Sequence, residues 1–98
     1  MTRFKELDPL LHSQLRLAVI SLLMSADVAE FTYIREQTGA TAGNLSIQLT
    51  KLKDAGYIEV EKKFRNNYPQ TLCSITTLGR EKFTDYVNDL KDYLSPNL

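Results

Sequence analysis

The sequence contains one cysteine and one histidine, and this scarcity excludes several kinds of site. A single cysteine, Cys73, forms no intrachain disulfide and no cysteine-based metal cluster. A single histidine, His12, makes a zinc site or a His-dependent catalytic triad hard to assemble. The chain also lacks a glycine-rich phosphate-binding loop, and its carboxylates are scattered. We therefore expect no enzyme active site, no metal and no cofactor.

Neither an excess of one charge sign nor a long apolar run is present. Twelve Lys and Arg balance twelve Asp and Glu, so the formal net charge is zero. This counts against a protein built only for tight, non-specific nucleic-acid binding, for which an isoelectric point above about 9 is typical. The longest apolar-rich stretch, LAVISLLM, is too short to span a membrane and fits a buried helix. Because the amino-terminal segment lacks the apolar core of a secretory signal, we expect a cytoplasmic protein with no membrane partner.

The length and composition predict a single domain over residues 1–98. A chain of 98 residues, 43% hydrophobic, is long enough for one modest core and too short for two. Charge is unevenly spread along it. Residues 41–75 hold five Lys and Arg against three Asp and Glu, whereas the segment on either side carries a net charge of −1. The middle segment is therefore the better candidate for contact with an anionic partner.

Apolar periodicity and capping residues predict four helices. The first has apolar residues at helical spacing, the second is expected to start after Thr32 and stop at Gly39, and Thr41 caps the third. The short TGAT connection between the second and third helices is typical of a helix-turn-helix. The predicted ranges are 10–25, 33–38, 42–55 and 77–94.

The residues between the third and fourth helices change to the period of a strand. YIEVEKKF alternates, TLCSIT is rich in β-branched residues, and RNNYPQ between them is typical of a hairpin tip. We therefore predict a two-stranded β-wing over residues 57–75. The order of three helices, a hairpin and a final helix predicts an α+β, mostly α fold, a winged helix-turn-helix.

Three motifs together resemble a known group. They are GNLS, the L-x-x-L-x-x-A-G-Y-I pattern within TAGNLSIQLTKLKDAGYIEVEK, and the T-x-x-G helix start in ITTLGREKF. The chain resembles the small stand-alone winged helix-turn-helix regulators of bacteria and archaea, a branch of the MarR/ArsR-like superfamily. The resemblance implies a transcriptional regulator that binds duplex DNA, usually as a dimer. Members often carry a basic pair where this chain has Ile47 and Gln48, so its surface is less cationic.

The third helix is the predicted recognition helix. Its face opposite Leu45, Leu49 and Leu52 carries small and amide-bearing side chains around one exposed Ile, where Glu and Lys are usual. Small residues allow close approach to the major groove, the amides suit adenine, and Ile47 suits a thymine methyl. The alternative is an ordinary solvated face. The candidate contacts are Thr41, Ala42, Gly43, Asn44, Ser46, Ile47, Gln48, Thr50 and Lys51.

Basic and polar residues at the wing tip form the second candidate DNA contact. Arg65 is expected to reach phosphate or a narrow minor groove, while the wing as a whole positions the protein. The alternative is that these charges discourage edge-to-edge strand pairing. The candidate residues are Lys62, Lys63, Arg65, Asn66, Asn67 and Tyr68.

The final helix carries more large apolar side chains than a small core needs. The stripe packs either on the chain's own core or, in part, against a second copy. We predict a homodimer, whose two-fold symmetry matches a palindromic operator. The candidate interface consists of Phe83, Tyr86, Val87, Leu90, Tyr93 and Leu94.

Cys73 is expected to be a buried, inert small hydrophobe, and His12 to lie at the surface or help start the first helix.

The main alternative function is a winged-helix protein–protein interaction module that does not bind DNA. A third is a fragment resembling the dimerisation domain of a methyltransferase, which the terminus-like ending YLSPNL disfavours. The sequence identifies no small-molecule effector.

Overall fold

The computed structural model describes residues 4–95. The last three residues of the ending YLSPNL, residues 96–98, lie outside this range. The elements follow the predicted order of helices and wing strands, with one additional short strand. This confirms the α+β winged helix-turn-helix fold. The elements are α1 (Gln14–Ala26), β1 (Val28–Glu30), α2 (Phe31–Thr38), α3 (Ala42–Asp54), β2 (Ile58–Arg65), β3 (Tyr68–Ile75) and α4 (Thr77–Leu94).

The core lies where the apolar stripes of the first three helices meet one face of the sheet. Helices α1, α2 and α3 all contribute fully or almost fully buried aliphatic side chains. Burying each such side chain contributes about 1.5–3 kcal/mol before the entropy cost of ordering it. The core residues from these helices and the sheet include Val19, Ile20, Leu23, Ile34, Leu45, Leu49, Leu52, Ile58 and Cys73.

Helix α1 begins at Gln14, so its predicted start at residue 10 is wrong. Asp8 forms a tight turn there instead. Its side-chain Oδ1 accepts a hydrogen bond from the Leu10 amide at 2.8 Å, and its carbonyl accepts one from the His12 amide at 2.8 Å. The turn still delivers Leu11 to the core, where it is fully buried.

The helix-turn-helix itself is formed by α2 and α3. Helix α2 begins at Phe31, two residues before its predicted start, because Glu30 and not Thr32 occupies the capping position. Gly39 ends it with a φ of 71°, a left-handed conformation that favours glycine. Thr41 caps α3 as predicted, since its side chain accepts a hydrogen bond from the Asn44 amide at 3.2 Å. Helix α3 ends at Asp54, one residue before the predicted end.

The two predicted wing strands, β2 and β3, belong to a three-stranded antiparallel sheet with the order β1-β3-β2, in which β1 is an additional strand. Strand β1 pairs with β3 so that Ala29 lies opposite Cys73. The hairpin tip is also shorter than predicted. Only Asn66 and Asn67 connect the strands, with φ values of 50° and 65°, the backbone of a type I′ turn. The strands therefore extend to Arg65 and Tyr68, and every residue from Glu61 to Pro69 is exposed.

Helix α4 packs against α1, and this contact corrects one predicted interface residue. Tyr86 is only 4% exposed, and its hydroxyl lies 3.0 Å from His12 Nδ1. The prediction that Tyr86 contacts a second copy is therefore wrong, because its ring belongs to the core of its own chain.

The described part of the chain is elongated. Its extents are 56 × 25 × 21 Å and its radius of gyration is 15.1 Å, above the roughly 13 Å expected for a compact domain of this length. Across residues 4–95, no helix combines the length and apolar character needed to cross a membrane. The wing and the carboxyl-terminal end of α4 thus extend from a small core.

Candidate nucleic-acid interface

Helix α3 presents a continuous exposed face that is almost free of acidic charge. Leu45, Leu49 and Leu52 hold the opposite face in the core. Gly43, Thr50 and Lys51 are exposed, and Ile47 at the centre is 57% exposed. Asp54, in the last position of the helix, is its one acidic residue. Between Thr41 and Lys53 the helix therefore offers an anionic partner no repulsive side chain.

One flank of α3 forms a groove with the wing. The groove has a volume of about 440 Å³, and its lining includes Ser46 and Thr50 from the helix and Thr71 from β3. Two lysines also line it, Lys53 from α3 and Lys62 from β2. Hydroxyl groups flanked by two ammonium groups are suited to a phosphate oxygen.

The other flank carries the two predicted amide readers, which are hydrogen-bonded to each other. Gln48 Nε2 donates to Asn44 Oδ1 at 3.0 Å. Arg16 of α1, which sequence reasoning missed, donates from Nη1 to Gln48 Oε1 and from Nε to the Leu10 carbonyl at 2.6 Å. The amides are therefore held by the scaffold before any partner arrives.

The predicted wing residues lie together around the hairpin, but on different faces of it. Because side chains alternate along β2, Lys62 lies on the face of Val60 and the groove, whereas Lys63 and Arg65 lie on the opposite face. Lys63 is also 3.5 Å from the Glu61 carboxylate, which partly offsets its charge. Arg65, Asn66, Asn67 and Tyr68 are all exposed at the tip.

The predicted dimer residues of α4 separate into covered and uncovered groups. Phe83, Val87 and Leu90 are half-buried, while Leu94 is 69% exposed. Tyr93 contacts its own amino-terminal segment: its hydroxyl donates to the Lys5 carbonyl at 2.5 Å, and its ring centroid lies 5.1 Å from that of Phe4. The surface of α4 left for a partner is therefore narrower than the predicted stripe.

Two groups with raised pKa values lie in the scaffold beneath the interface. Tyr57, just after α3, donates to Asp8 Oδ2 at 2.6 Å, and burial together with this carboxylate raises the pKa of Tyr57. Burial also raises the pKa of Cys73 to about 11. Both groups are protonated at neutral pH, so Cys73 is the inert core residue that the sequence predicted.

Sequence reasoning missed Arg16, Thr71 and Phe64, and omitted Lys53 from the main set of contacts. The alternation of β2 already places Phe64 on the face of Lys62, where it is 80% exposed. Lys53 lies seven residues after Ser46, a spacing that returns to the same side of a helix. Arg16 has no comparable local signal, because it meets Gln48 from 32 positions away.

Comparisons with known proteins agree with this fold. The family model described as a winged helix DNA-binding domain matches residues 15–94. An uncharacterised protein of Methanocaldococcus jannaschii is 32% identical over 87 residues, which cover 89% of this chain and 94% of that protein.

Within residues 4–95, no group of three or more His, Cys, Asp or Glu side chains is placed to hold a metal ion.

Solved structures show the same architecture. The structure of a transcriptional regulator homologue from Pyrococcus horikoshii OT3 superposes with a TM-score of 0.82 at 26% identity, covering 87% of this chain and 84% of that chain. A MarR-family transcriptional regulator from Silicibacter pomeroyi superposes with a TM-score of 0.66 at 15% identity, covering 91% of this chain and 61% of that chain. At that identity the second likeness concerns the fold alone.

Proposed function

Because the chain belongs to the winged helix DNA-binding domain family, we propose that it is a transcriptional regulator that binds duplex DNA with α3 in the major groove and the wing on the backbone. The exposed face of α3 is the observation that carries this proposal. From Thr41 to Lys53 it combines small, amide and hydroxyl side chains with no carboxylate. Such a face can meet the donors, acceptors and methyl groups that base edges present in the major groove.

The first half of α3 is the part that fits the floor of the DNA major groove. Ala42, Gly43 and Ser46 are small and exposed, so the helix backbone can approach the bases closely. The exposed Ile47 side chain provides an apolar contact for a thymine methyl, and Asn44 and Gln48 provide hydrogen bonds. On this proposal α3 specifies the sequence.

The cations around α3 are assigned to phosphates. Lys53 and Lys62 line the groove between helix and wing, and Lys51 lies on the exposed ridge beside them. Arg65 and the exposed tip residues Asn66, Asn67 and Tyr68 extend the contact along the backbone or into the adjacent minor groove. These contacts position the protein and carry little sequence information.

We further propose that the regulator acts as a homodimer through α4. Phe83, Val87, Leu90 and Leu94 retain exposed apolar surface along α4. A two-fold dimer places two α3 helices on half-sites about one helical turn apart.

The test is fluorescence anisotropy of labelled mixed-sequence duplex DNA at several salt concentrations. We expect micromolar binding that weakens steeply with salt, because each phosphate contact contributes about −0.9 to the slope of log K against log salt. Lys62→Ala is expected to make that slope shallower by about one such contact. Lys91→Ala removes the same charge from the exposed last turn of α4 and is expected to leave the slope unchanged.

The alternative function is a protein-binding module, which the exposed apolar side chains favour. Ile47, Phe64 and Tyr68 are 57%, 80% and 76% exposed. Absence of duplex binding even at low salt would overturn the DNA proposal. An apolar protein contact centred on Ile47 would then be the function to test, and its affinity would depend little on salt.

A further inference from the structure

A chain of hydrogen bonds connects the scaffold to the exposed face of α3. It begins at Arg16, which is half-buried and held by the Leu10 carbonyl, continues through the half-buried Gln48, and ends at the exposed Asn44. The outermost group is therefore an amide that meets solvent or a partner. Whether Asn44 presents its amino group or its carbonyl oxygen depends on the donor-to-acceptor direction of these hydrogen bonds.

Arg16 determines that direction. A guanidinium group has only donors, so the group that faces Arg16 must be the Gln48 carbonyl oxygen. The Gln48 nitrogen then faces Asn44, and its hydrogen bond turns the Asn44 carbonyl oxygen toward Gln48. Because an amide is planar, with its oxygen and nitrogen on opposite sides, Asn44 Nδ2 is left at the exposed end. The donor-to-acceptor direction of these hydrogen bonds cannot reverse while Arg16, which has only donors, lies at their buried end.

We propose that Arg16 is a positioning residue that makes Asn44 a donor-only reader, so that this position of the DNA site is guanine and not adenine. This inference rests on the proposed function. Guanine offers two acceptors in the major groove, O6 and N7, to the Asn44 amino group. Adenine offers an acceptor and a donor, and its bidentate pairing needs the Asn44 carbonyl oxygen to face the base, whereas the hydrogen bond from Gln48 turns that oxygen toward the scaffold.

The experiment selects bound duplexes from a randomised duplex pool with the full-length protein and measures base preference at each position. Asn44→Ala identifies the position that Asn44 reads, because only there should the preference disappear. In the wild type, guanine is expected to exceed adenine there by about 5-fold, the lower end of the range for a bidentate contact, because adenine N7 still accepts one hydrogen bond. Preference for adenine in the wild type would overturn the inference.

Variants of Arg16 test the positioning role. Arg16→Met removes all donors from a side chain of similar length, so Gln48 and Asn44 can rotate together and the guanine preference is expected to relax. Arg16→Lys keeps a donor-only group and is expected to retain the preference. A role of Arg16 in folding or in phosphate binding alone would change affinity and leave base preference unchanged, which would overturn the inference.

Gln48→Glu provides an independent test that leaves Arg16 in place. A carboxylate accepts from Arg16 but cannot donate to Asn44, so the Asn44 amino group is expected to turn inward and expose its carbonyl. The preferred base is then expected to change from guanine to one that offers a donor, adenine or cytosine. An unchanged preference would overturn the inference while duplex binding still supported the proposed function. Loss of duplex binding in every protein, wild type included, would overturn both.

Discussion

Gly79 lies where the first turn of α4 crosses the backbone at the start of β2. Thr76 caps this turn by accepting from the Gly79 amide at 3.0 Å and donating to the Gly56 carbonyl at 2.6 Å. A Cβ at position 79 would overlap the Tyr57 carbonyl oxygen and lie 3.0 Å from Ile75 Cγ1. The T-x-x-G motif in the sequence thus has a structural cause: the Thr caps the helix and the Gly allows the close approach.

Gly79→Ala is therefore expected to destabilise the protein by at least about 2 kcal/mol, because backbone atoms cannot move aside as a flexible side chain can. For a domain of this size that corresponds to a fall in Tm of about 10 °C or more. Thermal unfolding followed by circular dichroism measures it, with Thr77→Ala, exposed in the same turn, as the control. Equal Tm values for the two variants would contradict the assigned role of Gly79.

Deprotonation of Cys73 is expected to lower the stability of the folded protein at alkaline pH. Cys73 is fully buried in β3, and burial raises its pKa from 9.0 to about 11. The unfolded chain therefore loses this proton at lower pH than the folded chain does. Stability from this group is complete below about pH 9 and is lost as the pH rises through 9 to 11.

Denaturant unfolding at pH 8 to 11 is expected to show this loss, and Cys73→Ala is expected to flatten it. Tyr57, whose pKa is raised by burial and by Asp8, adds a further loss above pH 10.0 that Tyr57→Phe removes. Stability that is independent of pH across this range would contradict the burial of both protons. Because the thiol is buried and protonated, it should also react with a thiol reagent only after unfolding.

At the scale of elements, a substitution of Gly43 in α3 is expected to change stability and DNA binding in opposite directions. Nothing lies within 4 Å of a Cβ built there, and its φ is not in the left-handed range. Gly43→Ala is expected to stabilise the helix by about 0.5–1 kcal/mol. It is also expected to weaken duplex binding several-fold, because the added methyl group separates the helix backbone from the bases.

Tm and anisotropy measurements on the same sample check both expectations for Gly43→Ala. Gly39→Ala provides the contrast, because its φ of 71° makes any side chain strained and the same substitution should lower the Tm. Unchanged DNA affinity of the more stable Gly43→Ala would contradict the placement of the first turn of α3 against the floor of the DNA major groove.

The elements that the sequence predicted are those whose signals are local. The stripe of Leu45, Leu49 and Leu52 with its Thr41 cap predicted α3 within one residue, and alternation predicted β2. Strand β1 was missed because three residues carry too little pattern, and its pairing depends on β3, more than forty positions later. Within the candidate site the same division holds. The exposed face of α3 follows from its period, whereas the hydrogen bond from Arg16 depends on how α1 packs against α3.

At the scale of the whole molecule, the proposed second copy would cover surface that one chain leaves exposed. The radius of gyration of 15.1 Å exceeds that of a compact domain of this length, so part of the chain is poorly covered by its own core. Leu94, near the end of α4, has 69% of its surface exposed. Pairing α4 with its symmetry mate would cover this end and leave both α3 helices free for DNA.

Leu94→Lys is expected to convert the proposed dimer to a monomer, because a two-fold axis through α4 would bring two added charges into one small apolar interface. Since Leu94 is mostly exposed within one chain, the substitution should leave the fold intact. Light scattering coupled to size-exclusion chromatography measures the mass, and Leu78→Lys, at the other end of α4, is the matched control. On a palindromic duplex with half-sites one helical turn apart, losing the second contact should reduce affinity by about 10²-fold or more. A monomeric wild type would contradict the proposed dimer, and a dimeric Leu94→Lys would place its interface elsewhere than at the end of α4.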